Sequence, residues 1–319
     1  MGVICARKQP ESLLTRTGLI GNGLLNRPSF FYCALLTVAL LVHVAPLVAS
    51  MSSSEGSVQD FLKVRCSLKS EQDTFYTWSG SVFQYVAQEQ PALLFKFIGF
   101  NVARCVQNND GSWLLLSREL SYYLDPKTEE KLAYWTNPFT LEQVDVVHVS
   151  NDPVNNKVYP VMIQNLNNHS SVIVADVPLF YPNPLHGNAT FSQYGGDVAF
   201  YQAGEFFKFY FDPQDLNREA VQVNDVGISW SRTSQYLPWM KMASREGSLV
   251  YSCIGARKKD LTEMPQWLLT DVQTRLPTYL HAPANFNPDV PNETSSTYFM
   301  KHFAEYLAGA RFPIPTISK

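Results

Sequence analysis

The sequence predicts a mainly β protein: an antiparallel barrel or strongly curled, lipocalin-like sheet with short C-terminal helices. The first observation behind this prediction is that apolar residues after position 60 fall in short runs separated by Gly, Pro, Asn and Asp, which is the pattern of strands and turns. The second is that helical periodicity is confined to the region after residue 260. A chain with 45% hydrophobic and 13% aromatic residues can also fill a large core.

The apolar runs qualify as strands because they are short, closely spaced and bounded by turn residues. Such spacing favours one antiparallel sheet that closes into a barrel or folds as a sandwich. No segment is rich enough in Gly or Ser to act as a linker, so we expect residues 51–319 to form one β-rich domain. The predicted strands span residues 77–86, 92–97, 101–106, 113–123, 131–135, 144–149, 171–177, 198–202, 205–211, 226–232 and 249–254.

Turns and helices complete the predicted elements. Residues 108–111 read Asn-Asn-Asp-Gly, which suits a hairpin, and residues 125–128 read Asp-Pro-Lys-Thr, which places Pro where a type I turn accepts it. Residues 261–275 carry apolar positions at helical spacing, with Thr262 as a candidate cap, and residues 296–307 carry an aromatic stripe. We expect both helices to pack on the sheet or to close one open end of it.

The first fifty residues predict a targeting segment. Residues 28–49 carry no charge over a length that can cross a bilayer, and the basic residues precede them. This pattern is typical of a signal peptide cleaved after Ser50 or of an uncleaved signal anchor. Met51 offers a third possibility, because it would serve as the start of a cytoplasmic protein. We expect the secretory pathway, with membrane contact through this segment alone.

The cysteines argue against the secretory pathway, whereas the glycosylation sequons argue for it. Only Cys66, Cys105 and Cys253 follow the targeting segment, and an odd number is unusual among secreted proteins. The sequence nevertheless predicts a glycoprotein, because three sites have the Asn-x-Ser/Thr pattern that accepts a glycan, namely Asn168, Asn188 and Asn292.

Charge and motifs exclude several classes of function. With 25 Lys and Arg against 28 Asp and Glu, the chain lacks the basic surface of a nucleic-acid-binding protein. The histidines after the targeting segment are scattered and no Cys-x-x-Cys occurs, so we predict no metal site. Neither a Gly-rich phosphate loop nor a Gly-x-Ser-x-Gly elbow is present, which argues against a nucleotide cofactor and a serine nucleophile. We therefore expect no cofactor.

Four separated motifs resemble one known family. Residues 118–128 hold Arg-Glu followed by Tyr-Leu-Asp-Pro-Lys-Thr, residues 135–140 read Trp-Thr-Asn-Pro-Phe-Thr, residues 151–155 read Asn-Asp-Pro-Val-Asn, and residues 230–242 form a Trp-rich segment. In this order they resemble the bacterial and fungal family called domain of unknown function 1838 (DUF1838). Its members usually have Gly where this chain has Glu129, which implies a reshaped turn there. The resemblance implies no activity, because the family has none established.

The candidate catalytic residues lie in and beside these motifs. Alternation in the strand 113–123 places Glu119 on one face and Arg118 on the other. A buried Arg118 would need a carboxylate partner, which Glu142, Asp145 or Asp152 could supply. Arg118 could instead belong to a structural ion pair, and His148 could be a core residue whose ring nitrogens are hydrogen-bonded. As functional groups, His148, Glu119 and Asp152 would transfer a proton, and Arg118 would hold an oxygen function.

Further residues would line a binding pocket. Asn151 and Asn155 follow the predicted strand 144–149. Polar residues in loops at strand ends commonly bind ligands. A structural role in a turn explains these two residues as well. Aromatic residues account for core packing but also suit a pocket for an apolar molecule. The candidate substrate-binding residues are Arg118, Asn151, Asn155, Trp135, Trp230, Arg232 and Trp239.

The sequence thus favours a cofactor-independent enzyme that acts on a hydrophobic small metabolite, for example by isomerisation or cyclisation in secondary metabolism. Two alternatives stay open. The same pocket without chemistry would make a lipocalin-type carrier, and aromatics that only fill a core would make a structural protein. Convergence of the Arg118, Glu119, His148 and Asp152 side chains in one cavity would favour the enzyme, whereas an enzyme that uses this set of residues fails if they are dispersed on outer faces, because they could not contact one substrate.

Overall fold

Ten strands form one antiparallel sheet in the computed structural model, which describes residues 52–69, 71–195, 198–243, 245–289 and 292–310. A pair of short strands forms a second sheet. The strands are β1 (Ser52–Gly56), β2 (Thr74–Tyr85), β3 (Ala92–Gln107), β4 (Trp113–Leu124), β5 (Tyr134–Thr136), β6 (Gln143–Asp145), β7 (Val149–Lys157), β8 (Val161–Asn167), β9 (Ser170–Pro182), β10 (Phe200–Phe211), β11 (Gly227–Ser234) and β12 (Ser248–Lys258). The predicted mainly β, strongly curled sheet is confirmed.

The large sheet has the order β1-β8-β9-β10-β11-β12-β2-β3-β4-β7, while β5 pairs only with β6. Its curl brings distant strands into contact through one face. The ring of Phe97 in β3 lies 5.9 Å from that of Trp230 in β11, and the hydroxyl of Tyr123 in β4 lies 3.0 Å from that of Tyr251 in β12. We call this concave side the inner face and the other side the outer face.

The first helix closes one end of the curl. Helix α1 (Val58–Arg65) begins with a capping box, in which Ser57 Oγ accepts from Asp60 N and the Asp60 carboxylate accepts from Ser57 N. Its Phe61 ring packs 6.3 Å from Phe209 of β10. The buried Arg257 of β12 donates to the main-chain oxygens of Lys63, Val223 and Cys66, which ties the end of α1 to the sheet.

Short helices close the other end. Helices α4 (Ser295–Lys301) and α5 (Phe303–Leu307) pack Phe299 and Phe303 into the core beside α2 (Ser192–Gly195). The chain before α4 runs along β7, where Asp152 N donates to Glu293 O at 3.0 Å and Glu293 N donates to Pro153 O at 3.1 Å. On the outer face, α3 (Gln266–Arg275) buries Leu268 and Val272 against Leu120 and Tyr122 of β4.

Several predicted boundaries need correction. The pairs of strands predicted at 92–106 and at 198–211 are the continuous strands β3 and β10. Residues 146–148 of the strand predicted at 144–149 are not strand, because the chain there passes from the small sheet to the large one. The helix predicted at 296–307 breaks at His302, and Thr262 does not cap α3: its main-chain N–H is capped by Asp260 in a separate turn.

Two turns of the family motifs share one geometry. Asp125 Oδ1 accepts from the N–H groups of residues 127 and 128, and Asn137 Oδ1 accepts likewise from those of residues 139 and 140. The fifth residue of each turn is left-handed, with φ +58° at Glu129 and +59° at Leu141. Glu129 therefore adopts the conformation for which Gly is usual, and the first turn keeps the shape of the second.

Cys66, at the end of α1, and Cys105, in β3, form a disulfide with a Cα–Cα distance of 5.9 Å. Cys253 is free and buried, and burial raises the pKa of its thiol to about 12. The odd number of cysteines therefore does not argue against an oxidising compartment. The predicted targeting segment, residues 1–50, lies outside the described residues. Within the described part of the chain, no helix has the length and apolar character to cross a membrane.

Candidate functional site

Strand β4 separates the predicted catalytic residues between two faces. Glu119 is on the inner face, with Ser117 and Tyr123, whereas Arg118 is on the outer face. The structure therefore does not bring the predicted set of Arg118, Glu119, His148 and Asp152 together in one cavity. Each of the four has a different environment, which decides what it can do chemically.

Arg118 and Asp152 form an ion pair on the outer face. Arg118 Nε lies 2.7 Å from Asp152 Oδ1, and both side chains are 18% exposed. Arg118 Nη1 also donates to the main-chain oxygen of His281 at 2.6 Å. The pair thus joins β4 and β7 to the segment after α3, which is the structural role considered for Arg118.

His148 is buried at the sheet edge and bonds only to main-chain atoms. Its Nδ1 accepts a hydrogen bond from Tyr123 N at 3.2 Å, and its Nε2 lies 3.0 Å from Leu132 O. This pattern requires a neutral ring with the proton on Nε2. Burial, with a smaller contribution from Lys131, lowers the pKa of His148 to about 3. A surface cavity of about 260 Å³ borders it, but both ring nitrogens are already engaged.

Glu119 lies on the inner face, where amide groups hold its carboxyl. Asn151 Nδ2 donates to Oε2 at 3.0 Å, and Asn101 Nδ2 donates to Oε1 at 3.4 Å. Burial is the main cause that raises the pKa of Glu119, and the negative charge of Glu205 adds to it. Glu119 therefore holds a proton at a pH where an ordinary glutamate has lost it.

Glu205 belongs to a polar group on the opposite wall of the curl. Arg232 of β11 donates to Glu205 of β10 and to the hydroxyl of Tyr201, and these two bonds fix the guanidinium. Burial opposes the charge on Arg232, but Tyr201 and Glu205 raise its pKa above the ordinary value. The Arg232 and Glu205 side chains are each 19% exposed although they lie on the inner face. Solvent therefore reaches part of both side chains.

Arg65 adds a second cation to the interior. It is the last residue of α1, where its guanidinium lies 5.1 Å from the Tyr76 ring centroid and 5.4 Å from that of Phe209. It donates to Asn101 Oδ1 at 3.3 Å, and its charge lowers the pKa of Glu119, opposing the effect of burial. Sequence reasoning missed Arg65, Asn101 and Glu205. The capping pattern Ser57 to Asp60 was the available signal for α1, but only the fold brings Arg65 near Glu119.

Aromatic rings surround these polar groups. Trp230 lies 5.9 Å from Phe97, 5.6 Å from Tyr251 and 6.3 Å from Phe207, measured between ring centroids. Trp78 packs against the core clusters of both ends of the curl. The arrangement places an aromatic surface next to a carboxyl of raised pKa and a fixed guanidinium.

The remaining predicted residues lie elsewhere. Trp135 and Trp239 pack on Phe95 in the core, near the end that α4 and α5 close. Asn151 touches Glu119, as described. Asn155, predicted at a strand end, is inside β7, where its main-chain N–H and oxygen bond to the side chain of Asn292. Among the described residues, no group of three or more His, Cys, Asp or Glu side chains is placed to hold a metal ion.

The sequons differ in their surroundings. Asn168 is exposed in the turn between β8 and β9. Asn188 is also exposed, but its side chain caps a short turn by accepting from Thr190 N at 3.0 Å. The Asn292 amide makes the two bonds to Asn155. Asn168 is therefore the most accessible of the three acceptors.

Comparisons with known proteins identify the family of the chain but assign no activity to it. No curated protein matches the sequence. The family model described as protein of unknown function, DUF1838, matches residues 71–303, which extends from before β2 into α5 and includes all four motifs. The chain therefore belongs to the DUF1838 family.

Proposed function

We propose that the protein is a cofactor-independent enzyme that acts on a hydrophobic small metabolite inside the curled sheet, by acid–base chemistry such as isomerisation or cyclisation. The observation that carries this proposal is the Glu119 carboxyl, which lies in an aromatic interior with the negative Glu205 near it. A carboxyl whose pKa is raised by burial can give its proton to a substrate and take it back.

The inner-face residues have different roles in the proposed reaction. Glu119 is the proton donor, and Asn101 and Asn151 orient it. Trp230 and its aromatic neighbours pack against the apolar body of the substrate, and Arg232 provides positive charge beside it. Of the predicted catalytic residues, this proposal retains Glu119 and leaves Asp152 and His148 in the structural contacts described above.

A lipocalin-type carrier is the second candidate. The aromatic lining favours it, because the same rings would bind an apolar molecule whether or not a proton moves. The two candidates differ in the role of Glu119: an enzyme needs its proton for turnover, whereas a carrier needs only the volume of the side chain.

Metabolite profiling of a strain that lacks the gene tests the proposal. Complementation with the Glu119→Gln variant, which keeps the shape but removes the acidic proton, is expected to reproduce the profile of the deletion strain. Complementation with Glu219→Gln, an exposed glutamate, is expected to restore the normal profile. A normal profile with Glu119→Gln would contradict the enzyme and favour the carrier.

We also propose that the protein enters the secretory pathway, as a secreted or membrane-anchored glycoprotein. The disulfide between Cys66 and Cys105 supports this location, because such bonds persist in oxidising compartments. The exposed Asn168 supports it as a glycan acceptor. Endoglycosidase treatment of protein from the native host is expected to lower its mass, and Asn168→Gln is expected to remove most of that change. A mass that the enzyme leaves unchanged would contradict the proposal.

A further inference from the structure

Three N–H groups on the inner face have no hydrogen-bond acceptor among the described residues. They are Nε1 of Trp78, Nε1 of Trp230 and Nε of Arg232, and all three atoms are buried. Buried donors in native proteins nearly always have a partner, because an unpaired one has lost its hydration without replacement. Three unpaired donors on one face therefore indicate that an acceptor from outside the described chain occupies this place.

The three groups lie on two strands, β11 and β2, which flank β12. Trp230 and Arg232 are two residues apart in β11, so they are adjacent on the inner face. Trp78 lies in β2, opposite Gly255 of β12, and Trp230 lies opposite Cys253 of the same strand. Because Gly255 has no side chain, no group of β12 stands between the indole of Trp78 and the interior at that position.

The surroundings of the three donors restrict which kind of acceptor can bind there. Nη1 and Nη2 of Arg232 bond to Glu205 and Tyr201, so the charge of the guanidinium is balanced, and Nε is its one nitrogen without a partner among the described residues. A neutral oxygen satisfies these donors without adding an unpaired charge to the interior. The rings of Phe97, Phe207 and Tyr251 beside Trp230 require a flat apolar body next to that oxygen.

We propose that the inner face binds an aromatic-sized carbonyl compound, whose oxygen accepts hydrogen bonds from Arg232 Nε and from the indole nitrogens of Trp230 and Trp78. The inference rests on the proposed function, because it names the class of substrate for the same site. The carbonyl oxygen lies against the donors of β11 and β2, and the apolar body lies against the rings around Trp230.

Two probes of nearly equal shape test this inference on the whole protein. 2-Acetylnaphthalene carries the carbonyl oxygen, and 2-isopropenylnaphthalene has a CH₂ group in its place. In nitrogen-15 spectra of the indole N–H groups, the ketone is expected to shift the signals of Trp78 and Trp230 but not that of Trp267, which is on the outer helix α3. The ketone is also expected to bind roughly tenfold more tightly than the hydrocarbon.

Variants that remove one donor at a time give the matched comparison. Trp230→Phe and Trp78→Phe keep an aromatic ring and remove the N–H, and Arg232→Lys keeps a cation for Glu205 while removing Nε. Each is expected to weaken ketone binding about fivefold more than it weakens hydrocarbon binding. Trp267→Phe is the control, and it is expected to change neither affinity.

The results separate this inference from the proposed function. Equal affinities for the two probes, no binding of either probe, or unmoved signals of Trp78 and Trp230 would overturn the inference. A clear preference for the ketone supports it even if Glu119→Gln leaves the metabolite profile normal, in which case the site binds carbonyl compounds and the acid–base function fails.

Discussion

At the scale of single residues, two neighbours in β4 have opposite roles. Arg118 forms an ion pair on the outer face, whereas Glu119 lies on the inner face, where burial raises the pKa of its carboxyl. The alternation of the strand predicted that they would separate, but it could not show which face was inside. Both faces of β4 are covered, one by the aromatic interior and the other by α3, so the flanking residues are apolar on both sides.

The protonation of Glu119 predicts a dependence of stability on pH. The fold raises its pKa above the ordinary 4.5, so the native state holds the proton more tightly than the unfolded state does. The contribution of Glu119 to the free energy of unfolding is therefore complete below about pH 4.5 and is lost as the pH rises to the pKa of this group in the folded protein. Glu119→Gln has no charge to bury and is expected to equal the wild type near pH 4.5 and to exceed it at pH 8.

Urea unfolding at a series of pH values measures this effect. The difference in free energy of unfolding is expected to grow by at most about 1.4 kcal/mol per pH unit between pH 4.5 and the pKa of the folded protein, and to stay constant above that pKa. Glu219→Gln, at an exposed position, is expected to follow the wild type throughout. A difference between Glu119→Gln and wild type that stays constant from pH 4.5 to 8 would show that Glu119 is ionised in the native state.

At the scale of elements, the repeated Asp-Pro and Asn-Pro turns were predictable and several strands were not. The turns depend on local bonds from Asp125 and Asn137 to the next main-chain N–H groups. In contrast, β1, β7 and β8 are rich in Ser, Asn and Gln, and they form because neighbouring strands pair with them. Their polarity fits their place at or near the two edges of the sheet, where one side of a strand faces water.

The turn geometry predicts the effect of a glycine. Leu141 is left-handed and 78% exposed, so its side chain strains the main chain and packs on little. Leu141→Gly is expected to stabilise the protein by about 1 kcal/mol, measured by urea unfolding, because Gly adopts this conformation without a clash. Leu141→Ala keeps the clash and is expected to have no such effect. Equal unfolding midpoints for the Gly and Ala variants would contradict the left-handed turn.

At the scale of the whole molecule, the site exists because the sheet curls and its two ends are closed. The sequence predicted the curl and the closing helices near the C terminus, but not α1, which brings Arg65 into the interior. Glu119 and Glu205 come from strands far apart along the chain, so their proximity is a property of the closed curl. No local pattern contains that information. Arg232 and Trp230 were predicted for binding because they lie in a family motif, whereas Glu205 lies outside the motifs and was missed.

The central claim is that the inner face carries the function, and adjacent residues of β4 test it most directly. We would compare metabolite profiles of the deletion strain complemented with Glu119→Gln or with Arg118→Gln, after confirming equal protein levels. The account predicts the deletion profile for Glu119→Gln and the normal profile for Arg118→Gln. A normal profile for Glu119→Gln together with the deletion profile for Arg118→Gln would place the function on the outer face and contradict it.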